Sequence, residues 1–161
     1  MDTVLAVALA LGLVVATVAI HDEVLRGTAQ VIPRMRIPIR SRIHVVIAGV
    51  FVAHLAAVSL YAFVFYLMHA HLGLGAVTGA FEGSVLDFFY FSITSYTTLG
   101  VGDVTPHGPL RIVAGIEALN GFVLIGWSAS FTYLAMERFW EGRHRPKPVH
   151  APAAAAASEG G

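Results

Sequence analysis

The chain has 161 residues, of which 57% are hydrophobic and 12% are charged, and ten basic residues balance ten acidic ones. Soluble domains carry about 25% charged residues, so this composition predicts a single domain whose main solvent is a lipid bilayer. The absence of a basic surplus argues against a nucleic-acid binder. The lack of cysteine excludes a disulfide scaffold, an iron–sulfur cluster and a cysteine-rich zinc site.

Three long apolar runs predict membrane-spanning helices at residues 3–20, 43–68 and 112–136. At about 1.5 Å per residue, these helices reach roughly 27, 39 and 38 Å, whereas the hydrocarbon core is about 30 Å thick. Backbone groups in lipid must bond internally, which favours helices for all three runs. The first run follows Met1-Asp2, an acidic start that is unlike a signal peptide, so we expect a retained helix.

The basic residues fall on one side of these predicted helices. Five arginines lie between residues 21 and 42, four basic residues follow residue 136, and the segment 69–109 has none. The positive-inside rule therefore predicts that the 21–42 loop and the C-terminus are cytoplasmic, and that the N-terminus and residues 69–109 face outward. We expect a multi-pass protein of the cell membrane.

The segment between the second and third runs predicts a helix that enters the membrane without crossing it. Its apolar part, residues 85–97, extends about 20 Å as a helix, which is too short to span. Ser84, followed three residues later by Asp87, fits a capping box at the start of this helix. A glycine-containing stretch follows. Irregular backbone at membrane depth is tolerated only inside protein or beside water, so this stretch is expected to line a cavity.

The residues of this stretch are of types that favour binding of a cation. Gly100 and Gly102 stand at alternate positions, and glycine, which has no Cβ, is free to adopt a positive φ without strain. Alternating backbone handedness turns successive carbonyls to one side, and such oxygens replace the hydration shell of a cation. Thr98 adds a hydroxyl at the inner end, where the C-terminal dipole of the short helix also favours a cation. Asp103 supplies a carboxylate at the outer end.

The sequence YTTLGVGD, from Tyr96 to Asp103, resembles the signature filter of potassium channels. The resemblance extends over about 100 residues and is greatest to small bacterial pore-only channels, which implies a bacterial inner membrane. It implies an all-α membrane protein with three transmembrane helices, a re-entrant pore helix and a selectivity-filter loop. It also implies a homotetramer in which the carbonyls of four residues, and one hydroxyl, coordinate K⁺. These residues are Thr98, with its hydroxyl, Leu99, Gly100 and Val101.

One departure from the family pattern concerns Val101, which stands where the family has a tyrosine. Valine supplies neither the ring nor the hydroxyl that brace the filter from behind. Its backbone carbonyl is retained, so we expect potassium selectivity, with a weakly selective cation channel as the alternative. A less braced filter also predicts collapse at low potassium.

Further residues are candidates for filter support or gating. Those expected to support the filter and its mouth are Thr97, Gly102, Asp103 and Tyr90, with a hydrogen bond from Tyr90 to Asp103. The gating or pore-lining candidates are Glu117, Asn120, Gly121, Ile125 and Gly126. Gly121 matches the position of the family's hinge glycine. Glu117 is interpreted as a brace for the pore helix or as an ion contact. Asn120 lines the cavity or bonds a neighbouring helix, and His54 is a neutral, satisfied histidine or a proton sensor.

The predicted organisation has three parts. Residues 1–42 form an N-terminal transmembrane helix and cytoplasmic loop, 43–140 the pore domain, and 141–161 a flexible cytoplasmic tail. We expect no enzyme activity, because no nucleophile–base pair is evident, and no cofactor, since K⁺ is the permeant ion. The expected partners are copies of the chain and membrane lipid, without nucleic acid or any small-molecule substrate besides monovalent cations. Two other interpretations are a transporter subunit and a non-conducting assembly or regulatory membrane protein.

Overall fold

A computed structural model describes residues 1–141 of the chain. The four α-helices alternate with one short 3-10 turn and two short strands. In chain order they are α1 (Asp2–Val31), the 3-10 turn (Ile32–Arg34), α2 (Ile39–Ala70), β1 (Ala76–Gly79), α3 (Val85–Tyr96), β2 (Val104–His107) and α4 (Leu110–Glu141). The predicted tail at 142–161 lies outside the described residues.

The three predicted spans are present as long apolar helices. Segments Asp2–Arg34, Ile39–Ala70 and Leu110–Phe139 are each long and apolar enough to cross a membrane. Each helix is longer than its apolar run, because polar residues continue the helix at its ends. The predicted fold class is therefore confirmed: the chain is a mostly helical membrane protein with a short helix, α3, between its second and third spans.

The prediction of a loop from 21 to 42 is wrong in its extent. Helix α1 continues to Val31, and the connector is reduced to the 3-10 turn and a few residues that follow it. The buried positions of α1 are spaced three or four apart, the period of one helix face. They are Ala6, Ala10, Leu13, Thr17, His21 and Leu25. Since this face continues past the apolar run, packing extends the helix to Val31, and Pro33 in the following 3-10 turn prevents its continuation. Pro38 is the N-cap of α2.

Helix α1 packs against both α2 and α4, which the sequence left undecided. Both helices bury small residues: Ala6 and Ala10 are fully buried on α1, as are Ala53 and Ala57 on α2. Small residues let membrane helices approach closely. A Cβ at Gly49 of α2 would overlap the side chain of Thr28 on α1. The N-terminal helix is thus an integral part of the packed unit.

A small antiparallel sheet lies beyond the ends of the spans and was not predicted. β1 pairs with β2 in the register Ala76 with His107 through Gly79 with Val104. The backbone N–H of Ala80 donates to the carbonyl of Asp103 at 2.9 Å. A Cβ at Gly79, where φ is 108°, would overlap that same carbonyl. The sheet therefore ties the segment before α3 to the segment after the glycine-containing stretch.

Candidate functional site

Helix α3 is the predicted short helix, with a defined start. The backbone N–H of Asp87 donates to Ser84 Oγ at 3.2 Å, and the N–H of Ser84 donates to Asp87 Oδ2 at 3.0 Å, so the predicted capping box is confirmed. The hydrogen bond from the backbone of Ser84, followed by that from Glu82, holds the pKa of Asp87 below its ordinary value. With 12 residues, α3 extends about 18 Å, which is too short to cross a bilayer.

The backbone beyond α3 alternates in handedness. φ is positive at Thr98 (58°), Gly100 (54°) and Gly102 (87°), and Thr98 is the one non-glycine residue with positive φ among residues 1–141. A left-handed conformation costs a non-glycine residue about 1–2 kcal/mol, so surrounding contacts must hold Thr98 in place. We call residues 97–103, where the sequence predicts a filter, the filter segment.

The last turn of α3 supplies those contacts. The backbone N–H of Thr98 donates to the carbonyl of Ser95 at 2.9 Å. The N–H groups of Leu99 and Gly100 both donate to the carbonyl of Thr94, at 3.0 and 3.2 Å. The carbonyls at the helix end, which have no partner within a helix, are thereby used to fix the first residues of the filter segment.

In the single chain, the residues of the filter segment are exposed. The four predicted ion-binding residues, 98–101, are consecutive and all exposed, with Leu99 at 68% and Val101 at 56% of full exposure. Thr97, Gly102 and Asp103 are exposed as well. The structure therefore leaves the whole of this segment open, while Tyr96 just before it lies against Gly121 of α4.

The outer end of the filter segment is held by Tyr90 of α3. Its hydroxyl donates to Asp103 Oδ2 at 2.9 Å, which is the bond that the sequence predicts. Because Asp103 accepts this hydrogen bond, the pKa of Tyr90 is raised above its ordinary value. With its backbone carbonyl also bonded to Ala80, Asp103 is fixed through both its side chain and its main chain.

The rear of α3 is joined to its neighbours by buried polar groups. Ser92 Oγ lies 2.6 Å from Glu117 Oε1 on α4 and 2.9 Å from the carbonyl oxygen of Val58 on α2. Glu117 is fully buried, and its second oxygen, Oε2, has no hydrogen-bond partner among the described residues. This contact is the one that the bracing interpretation of Glu117 predicts, and it links three helices.

The other candidates on α4 divide into a buried set and an exposed set. Asn120 Nδ2 donates to Thr17 Oγ1 of α1 at 2.8 Å, so it bonds a neighbouring helix within the chain. Gly121 is buried, and a Cβ there would overlap the carbonyl oxygen of Tyr96. Ile125 and Gly126 are exposed. Of the five gating or pore-lining candidates, these two therefore lie on the open side of α4.

A pair of histidines, His21 buried and His54 half-buried, includes one residue that sequence reasoning missed. His54 Nδ1 lies 2.8 Å from the hydroxyl of Tyr96, the last residue of α3, as expected for a satisfied histidine. His21 of α1 lies beside it, with the rings tilted by 56° at a centroid distance of 5.0 Å, and its Nε2 lies 3.0 Å from Ser128 Oγ. His21 follows the apolar run and precedes Asp22, so it resembles a loop residue in the sequence. Its position four residues after Thr17 and eight after Leu13, on the same face of a helix, was the signal in the sequence that could have identified it as buried.

A known protein family covers the region of the chain that contains this site. A family model described as "Ion channel" matches residues 53–138, more than half of the chain, from the middle of α2 through α3 and the filter segment to the end of α4. No curated protein matches the chain. The chain therefore belongs to this ion channel family, whose model covers two membrane helices and the short helix between them.

Proposed function

We propose that the protein is a passive potassium-selective channel formed by four copies of the chain around a common axis. The observation that carries the proposal is the alternation of φ along an exposed segment, with positive values at 98, 100 and 102. Alternating handedness directs successive carbonyls toward one side, and a stack of carbonyls substitutes for the water around K⁺. The oxygens of Thr98, Leu99, Gly100 and Val101 would then hold the permeant ion.

A tetramer accounts for the open face of the filter segment. One chain supplies one column of oxygens, whereas a cage around an ion needs several columns related by rotation, as in closed cyclic oligomers. In a lone chain, the exposed backbone of 98–102 would meet lipid, where an unpaired polar group costs several kcal/mol. Copies that meet at this face would enclose it, with Ile125 and Gly126 of α4 facing the passage on its inner side.

The proposed orientation rests on the distribution of charged residues. The proposed channel has its filter mouth and N-terminus outside and its C-terminus in the cytoplasm, since Arg34, Arg36, Arg40 and Arg42 cluster at the end opposite to Asp103. Asp103 at the outer mouth would raise the local concentration of cations. In this proposal the protein lies in the cell membrane, with membrane lipid and its own copies as partners.

A weakly selective cation pore is the second candidate, and Val101 favours it. Val101 is 56% exposed, and its side chain has no hydroxyl with which to hold the filter segment. The side-chain support near this position is therefore the hydrogen bond from Tyr90 to Asp103. Selectivity for K⁺ over Na⁺ depends on how firmly the oxygens are held and on their number.

Flux measurements in liposomes test the proposal. Protein purified as a tetramer by mass should release K⁺ at least about tenfold faster than Na⁺, whereas similar rates for both ions would favour the second candidate. Flux of neither ion through intact tetramers would favour a non-conducting assembly or regulatory protein. Uphill uptake coupled to another ion would favour a transporter subunit.

A matched pair of glycine variants ties any flux to the backbone geometry. Gly100 has positive φ, yet the space that a Cβ would occupy there is open, so G100A strains the backbone without a clash. Gly12 of α1 also has open space and an ordinary φ. We expect G100A to lose most K⁺ flux and G12A to keep it. Equal flux in both variants would contradict the assignment of the filter segment.

A further inference from the structure

A cavity lies at the end of the molecule opposite to the filter segment. It has a volume of about 260 Å³ and is enclosed by the end of α1, the 3-10 turn, the start of α2 and the last turns of α4. Its walls are mainly apolar and include Ile32, Val46, Phe131 and Leu134. Leu134 is 51% exposed, so the cavity opens at the protein surface.

Two arginines line this apolar cavity. Arg42 comes from the first turns of α2 and Arg138 from the end of α4. The Nε atom of Arg42 is buried and has no hydrogen-bond partner among the described residues. Buried polar groups in proteins are nearly always paired, so an unpaired guanidinium N–H indicates an absent acceptor. Among residues 1–141, no acidic side chain lines the cavity.

The surroundings strengthen the positive charge at this end. Arg34, Arg36 and Arg40 are exposed in and beside the connector that leads to Arg42. The described ion pairs involve a different arginine, Arg26, which pairs with Asp22 and Glu23 of α1. The cavity thus combines apolar walls with a positive rim at the boundary between membrane and water.

We propose that this cavity binds one anionic phospholipid per chain. The planar guanidinium groups of Arg42 and Arg138 match the oxygens of a phosphate, which they bind through paired hydrogen bonds. The apolar walls would receive the upper part of an acyl chain. Basic pockets between transmembrane helices on the cytoplasmic side are suited to anionic headgroups in this way. Because the cavity joins the α1–α2 connector to α4, the bound lipid would hold the end of α4 against the N-terminal helix.

The test uses the purified full chain in a neutral detergent. Phosphatidylglycerol is titrated in, with phosphatidylcholine of the same acyl chains as the zwitterionic control, and binding is followed by native mass spectrometry and by the thermal midpoint. We expect phosphatidylglycerol to saturate at one per chain and to raise the midpoint, while phosphatidylcholine does neither. Equal effects of the two lipids would overturn the proposal. Inorganic phosphate at the same concentration should have no effect, and an equal shift with phosphate would indicate a free-anion site instead.

Charge variants distinguish binding of the lipid in the cavity from a general attraction of the anionic lipid to a basic surface. R42Q should weaken phosphatidylglycerol binding by about tenfold or more, the loss of one hydrogen bond to a charged group. R36Q removes the same charge from an exposed position at the same end, and should weaken binding by less than about twofold in a neutral micelle. Equal losses in R36Q and R42Q would overturn the proposal. Arg138 is exposed, so R138Q is expected to fold and keeps the test available if R42Q does not.

Discussion

The filter segment and the helices behind it are held in opposite ways. The filter segment is exposed and has a left-handed backbone at every second residue from Thr98 to Gly102. Its hydrogen bonds within the described chain involve the N–H groups of residues 97–100, which bond to α3, and Asp103 at the other end. Behind it, Ser92 and Glu117 are buried and joined across three helices. A single chain therefore fixes where the filter segment begins and ends but leaves its face open. In the proposed tetramer, the remaining constraint comes from the other copies.

The largest combined effect, on K⁺ flux as well as stability, is expected from a variant that disturbs the contact between these two regions. G121A places a methyl group against the carbonyl oxygen of Tyr96, at the end of α3, and that carbonyl cannot shift without moving the start of the filter segment. We expect a loss of about 1–3 kcal/mol in stability, as for other overpacked cores, together with loss of K⁺ flux. Thermal unfolding in detergent and liposome flux measure the two effects.

Gly115 provides the control for this variant. It lies on the same helix, and a Cβ there has open space, so G115A should leave the thermal midpoint unchanged or slightly higher. If Gly121 served only as a hinge, G121A would reduce flux while its midpoint stayed close to that of G115A. That result would contradict the steric explanation.

The next largest effect is expected behind α3, at Glu117. E117A removes the partner of Ser92 and leaves a cavity in a fully buried site, so we expect a loss of about 2–3 kcal/mol. E117Q keeps the size and a hydrogen-bonding group, and should cost less than about 1 kcal/mol. The thermal midpoints of the two variants provide the comparison. A glutamine variant as unstable as the alanine variant would show that the site requires the carboxyl group itself, and would contradict a purely bracing role.

The parts of the site that were predictable from sequence are those set by neighbouring residues. The capping box at Ser84 and Asp87 lies within four residues, and alternating left-handed backbone is a local property of Gly100 and Gly102. The bond between Tyr90 and Asp103 was predictable because the chain turns back after the short helix α3. This turn brings Asp103, at the end of the filter segment, near the middle of α3, where Tyr90 lies.

The parts that were not predictable depend on residues far apart in the chain. His21 is buried only because α1 continues past its apolar run and packs on α4, where Ser128 lies. The pairing of β1 with β2 joins residues such as Ala76 and His107, and strands of four residues have no distinctive alternation. The close approach of Gly121 to Tyr96 likewise depends on how α3 packs against α4. In each case the tertiary contact, rather than local sequence, determines the outcome.

A smaller effect is expected at the outer end of the filter segment, where Tyr90 donates to Asp103. Because this bond raises the pKa of Tyr90, its stabilising contribution is present below the ordinary tyrosine value near 10 and is lost as pH rises through the raised value. Y90F lacks both the bond and the titration. We therefore expect wild type to be the more stable protein at pH 8 and the two to converge above the raised pKa. A difference in thermal midpoint that does not change with pH would contradict this assignment.

The smallest effect is expected at the far end of α3, at the cap that orients the helix toward the filter segment. The bonds from Ser84 and Glu82 lower the pKa of Asp87, so the cap stabilises the protein above the ordinary aspartate value near 4 and loses this contribution as pH falls through the lowered value. D87N retains an oxygen that accepts the same bonds but does not titrate in this range. We expect the midpoint of wild type, measured from pH 6 to pH 2.5, to fall more steeply than that of D87N. The variant differs from wild type at this one group. If the two curves of thermal midpoint against pH are parallel, the charge of the capping carboxylate adds nothing to what the amide of the variant provides. The buried contacts at the rear of α3 would then be what positions this helix.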